Sequence, residues 1–118
     1  MRISIGALSL LFLAASAAVA HAHASLAHAI PPVGATTSAA PHEVILTFTE
    51  RLEAVFSKVT VFDASGTEVS QGKVQVNDAT MRVGLKPLNA GIYKVKWRAV
   101  SSDTHKIEGS FTFRVDAQ

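Results

Sequence analysis

Two runs of alternating side chains near the end of the sequence constrain the fold most. In the first, Tyr93, Val95, Trp97 and Ala99 alternate with Lys94, Lys96 and Arg98. In the second, Ile107, Gly109, Phe111, Phe113 and Val115 alternate with Glu108, Ser110, Thr112 and Arg114. Period-two alternation marks strands with one buried face, and it is incompatible with an amphipathic helix. Between the runs lies Ser101-Ser102-Asp103-Thr104-His105, which places a carboxylate and an imidazole two residues apart at the rim of a sheet. Such a pair supplies two of the ligands that a metal ion needs.

The rest of the chain reads as further short strands separated by turn residues. Ser25–Ile30 is a first strand, ended by Pro31-Pro32-Val33-Gly34. Val44, Leu46 and Phe48 mark a second, and Val59 and Val61 a third that closes at Asp63-Ala64-Ser65-Gly66. Val74 and Val76 suggest a fourth strand, and Met81, Val83 and Leu85 a fifth that stops at Pro87. Arg51–Ser57 has room for one helical turn. About seven short strands without a long helical pattern predict an all-β, antiparallel Greek-key sandwich or barrel of the immunoglobulin-like kind.

The first residues form a targeting segment. Arg2 gives a positive start, Ile5 to Val19 is uncharged and apolar, and small residues recur at Ala18, Ala20, Ala22 and Ala24. That is the pattern of a secretory signal with an Ala-x-Ala cleavage site. The run falls short of the ~20 apolar residues of a spanning helix. Cleavage after Ala22 makes 1–22 the signal and 23–118 a single domain beginning with His23; cleavage after Ala20 leaves His21-Ala22-His23. Either register puts a histidine at the processed terminus.

Without Arg2 the chain carries 10 basic and 9 acidic side chains. No basic run or aromatic–basic cluster supports nucleic-acid binding. Cysteine is absent, which excludes a thiolate electron-transfer copper site and leaves stability to the apolar core. Among the remaining histidines, His42 is a loop residue and His28 an auxiliary ligand or a surface residue.

His23-Ala24-Ser25-Leu26, the proline turn, Leu46-Thr47-Phe48-Thr49-Glu50, Lys58-Val59-Thr60-Val61 and the block from Tyr93 through His105 together resemble the CopC family of periplasmic copper-binding proteins. The resemblance covers the whole processed chain and favours cleavage after Ala22. It implies a Cu(II) site built from the amine and imidazole of His23 with Asp103 and His105, and Glu50 as a neighbouring acid outside the ligand set. Nitrogen and oxygen donors suit Cu(II), the most tightly held of the divalent ions. A methionine-rich Cu(I) site, present in some members, has no counterpart, because Met81 is the only methionine after the signal. The resemblance also implies a periplasmic carrier or buffer with a role in copper homeostasis or resistance, and a membrane copper-import or resistance partner. The competing readings are an N-terminal-histidine copper oxygenase and a structural β-sandwich with incidental histidines.

Overall fold

The computed structural model describes residues 25–117. The expected signal segment, His21 and His23 lie outside the described residues. The chain forms β1 (Leu26–Ile30), β2 (Thr36–Thr37), β3 (Glu43–Phe48), β4 (Lys58–Phe62), β5 (Ser70–Asn77), β6 (Thr80–Leu85), β7 (Gly91–Val100) and β8 (Lys106–Val115), with a single 3-10 turn at Ala54–Phe56. One sheet has the order β1-β3-β6-β5 and the other β2-β8-β7-β4. The chain changes sheets after β1, β2, β3, β4 and β6, the Greek-key manner of an immunoglobulin-like sandwich. Both sheets are open, so the barrel alternative does not apply. The strand count rises to eight through β2, a two-residue strand paired in parallel with β8. Two residues carry no periodicity, and the sequence pattern assigned them to no element.

The alternating patterns become the core. Val44, Leu46 and Phe48 from β3 and Met81, Val83 and Leu85 from β6 face Val59, Val61, Tyr93, Val95, Phe111, Phe113 and Val115 across the sandwich. Burying a side chain of the size of Phe113 contributes roughly 1.5–3 kcal/mol. Tyr93 stacks on Phe113 at 5.5 Å and donates its hydroxyl to the Asn89 carbonyl at 2.6 Å, the tyrosine corner that pins the entry to β7. At the expected turn after β4, the Asp63 carboxylate accepts hydrogen bonds from the Ser65 hydroxyl (2.7 Å) and the Thr67 amide (2.9 Å). The Ser65 hydroxyl is the main cause of a carboxyl held below its usual range.

Trp97 lies directly across from Gly109 in the β7–β8 register. Its ring meets Phe48 edge-on at 6.1 Å and covers Gly109 so closely that a Cβ there would stand 2.6 Å from Cη2. The indole is rigid and wedged between Phe48 and Phe111, so it cannot yield as a flexible chain would. Gly109→Ala is therefore expected to cost about 1–3 kcal/mol by overpacking. The thermal midpoint should fall by at least ~4 °C in a calorimetric scan, and an unchanged midpoint would contradict this packing.

Candidate metal centre

The β7–β8 connection is ordered by its own backbone. Ser101 N–H donates to the His105 carbonyl at 2.9 Å, and Thr104 N–H donates to the Ser101 carbonyl at 2.8 Å. Thr104 sits at φ 71°, a left-handed conformation that β-branched residues rarely occupy. Holding it there costs of order 1–3 kcal/mol, and such positions persist where the surroundings fix them. The effect is to swing Asp103 and His105 out to the same side of the turn.

His105 Nδ1 stands 3.1 Å from Asp103 Oδ1, with the two side chains 47% and 50% exposed. The carboxylate also accepts from the hydroxyl of Ser101, a residue with no exposed surface. Ser101 Oγ in turn lies 3.3 Å from the His105 amide, which donates to it. This buried hydroxyl ties both candidate ligands to the core. Its hydrogen bond, followed by that from His105, holds the Asp103 carboxyl below the ordinary carboxylate range. Asp103 therefore stays ionised in mild acid. At 3.1 Å, His105 Nδ1 and Asp103 Oδ1 stand at a separation that two donors on one metal ion can share.

A second segment, 49–53, runs beside this connection. Leu52 bridges Ser101 in antiparallel fashion. Ser102 N–H donates to the Arg51 carbonyl at 2.9 Å, and Glu53 N–H to the Val100 carbonyl at 2.8 Å. The other end of the segment grips the start of the chain. Ser25 N–H donates to Thr49 Oγ1 at 3.0 Å, and Thr49 N–H returns a bond to the Ser25 carbonyl at 2.9 Å. Ser25 and the Asp103–His105 pair, separated by most of the sequence, thus attach to the same five-residue segment.

Among the other expected residues, Glu50 lies in that segment and is half-buried. No third histidine or acid joins Asp103 and His105 in a metal-sized cluster among the described residues. His28 is exposed on β1 opposite Thr47, and His42 is exposed just before β3. Met81 has no exposed surface and belongs to the core. Ser101 escaped the sequence reading because a serine beside a turn is common, and only its burial reveals its part.

A CopC domain profile matches residues 26–116, nearly the full extent of the sandwich and its connection. The chain belongs to the CopC family. Copper resistance protein C of Pseudomonas syringae pv. tomato is 42% identical over 107 residues, covering 83% of this chain and 84% of that one. Protein YobA of Escherichia coli is 33% identical over 98 residues, covering 80% and 79%. Copper transport protein CutJ of Bacillus subtilis is 31% identical over 110 residues, 90% of this chain but only 20% of that longer one. Among solved structures, CopC from Methylosinus trichosporium OB3b superposes with a TM-score of 0.72 at 30% identity, covering 81% of this chain and 96% of that one. PcoC, a methionine-rich copper resistance protein from Escherichia coli, gives 0.71 at 35% identity, covering 80% and 100%. This CopC-family chain departs from PcoC in that respect, having two methionines in all.

Proposed function

We propose that the processed protein, residues 23–118, is a periplasmic Cu(II)-binding protein that carries or buffers copper and is not an enzyme. The observation that carries this reading is the Asp103–His105 pair, 3.1 Å apart, half-exposed and anchored by buried Ser101 beside the segment that holds Ser25. The donor chemistry fits the cargo. A carboxylate and imidazole from the connection, with the amine and imidazole of His23, make a nitrogen-rich oxygen-bearing set suited to Cu(II). Glu50 acts from beside the site without being a ligand. The chain's own contribution is to hold Asp103 ionised and to keep His105 beside it. The names of the copper resistance relatives support copper as the cargo, the name of the copper transport protein CutJ supports a part in moving it, and the partner that receives it is taken to be a membrane transport protein.

Titration of the processed protein with copper tests the reading. One Cu(II) should bind per chain, with no turnover when a reductant is added. Acid should weaken binding. A metal-binding imidazole or amine must first lose its proton, and these groups ordinarily titrate near ~6.5 and ~7.7–8.0. Because Asp103 is held below the usual carboxylate range, its protonation does not enter until the solution is more acidic still. Affinity should therefore fall steadily from about pH 8 to about pH 5. A flat profile over that range would show that the nitrogens are not ligands.

A further inference from the structure

The outward face of the β4-β7-β8 sheet concentrates positive charge. Lys58 on β4, Lys94, Lys96 and Arg98 on β7 and Lys106 on β8 alternate with the core residues and are all exposed. These are five of the ten lysines and arginines among the described residues. The single carboxylate between them is Glu108, opposite Arg98. None of the five is ion-paired among the described residues, whereas Arg51, Arg82 and Arg114 each have a carboxylate partner. Lys58 even faces Arg98 directly across the β4–β7 ladder, a like-charge pairing that costs stability. From strand geometry the patch measures about 20 Å by 10 Å. Neighbouring charges in it are closer than the ~8 Å screening length of physiological salt, so they reinforce one another.

We propose that this sheet face docks on an anionic lipid surface, with the phosphates of the headgroups as counter-charges. A protein partner is the weaker fit. Interface centres are depleted in lysine and built on buried aromatic anchors, but Lys96 occupies the middle of this face, between Thr60 and Ser110. The depression there, about 580 Å³, is open, edged by Lys58 and Arg98, and lined in part by half-buried Phe62 and Trp97. The most exposed apolar side chains, Val55 at 84% and Val33 at 61%, stand outside the strands of this face, and Ile92 at 47% lies at its far end on β7. A broad cationic face whose central aromatics, Phe62 and Trp97, are half-buried and not projecting suits delocalised attraction, worth about one factor of five per lysine or arginine near a charged membrane. The face also has a defined relation to the metal centre. β7 leads straight into Ser101, and Lys106 follows His105, so docking brings the 101–105 connection close to the membrane surface.

Cosedimentation of the copper-free processed protein with vesicles provides the test. It should pellet with vesicles of phosphatidylglycerol mixed into phosphatidylcholine, not with phosphatidylcholine alone, and release at about 1 M salt, where screening acts within ~3 Å. Lys94→Gln with Lys96→Gln should weaken partitioning roughly thirtyfold. Lys73→Gln with Lys86→Gln removes the same charge from elsewhere and should leave it nearly unchanged. Equal losses in the two variants would reduce the effect to net charge and overturn the proposal. So would failure of the unaltered protein to bind the anionic vesicles, or salt-sensitive capture by an acidic protein surface in their place. His105→Ala should bind vesicles normally, which separates this proposal from the copper reading; loss of vesicle binding there would remove the assignment from the sheet face.

Discussion

One extra residue ahead of His23 is expected to weaken Cu(II) binding by more than the ~10–100-fold typical of changes to residues that merely support a metal ligand. Before processing, the backbone nitrogen of His23 is a peptide amide with a delocalised lone pair and is no base. Cleavage after Ala22 converts it to an amine on the same residue as an imidazole, and the two can then chelate a single ion. Two residue steps, through Ala24, lead from His23 to Ser25, a reach of at most ~7 Å. Ser25 is itself fixed by paired hydrogen bonds to Thr49, in the segment whose far end bonds Ser102. The extension leaves every contact of the sandwich in place, so the circular dichroism and thermal midpoint should match those of the processed form. Isothermal titration and electron spin resonance on both forms, with mass spectrometry fixing each terminus, give the answer. Equal affinities and equal nitrogen hyperfine patterns would remove the amine from the site. A natural terminus at His21 would reassign it to a chelate with the histidine in third place.

His105→Ala should lower Cu(II) affinity by orders of magnitude with the fold retained. The side chain is 47% exposed, so its loss opens no core cavity. The connection keeps its shape because the His105 backbone still accepts from Ser101 N–H and donates to Ser101 Oγ. Asp103→Asn should cost less. The amide oxygen still accepts from Ser101, but the negative charge is gone. Titration of both variants beside the parent, with the thermal midpoint as a check on folding, decides the matter; unchanged affinity in His105→Ala would sink the ligand assignment.

Period-two alternation is a local property, and it alone determined which side chains of β3, β4, β6, β7 and β8 are buried. A strand with one wet face has no other way to satisfy both its surfaces. The same locality made Asp103 and His105 legible as a pair, since two residues on one turn are neighbours in any fold. Where turn chemistry is strong, as at Asp63 to Gly66, the boundary was legible as well. What depends on residues far apart in sequence was decided by tertiary structure. The Arg51–Ser102 hydrogen bond and the Leu52–Ser101 bridge bring the segment that grips Ser25 against the metal connection, and nothing in either stretch specifies the other. Ser101 became a support for Asp103 only when the sandwich closed over it. The cationic face has the same origin. Lys94, Lys96 and Arg98 show in the sequence as the polar half of one strand, unremarkable in a chain with nearly balanced charge. Pairing of β4 and β8 on either side of β7 sets Lys58 and Lys106 beside them, with Glu108 the one carboxylate on those three strands. Net charge is a sum that composition fixes, but its distribution over a surface follows from which strands become neighbours.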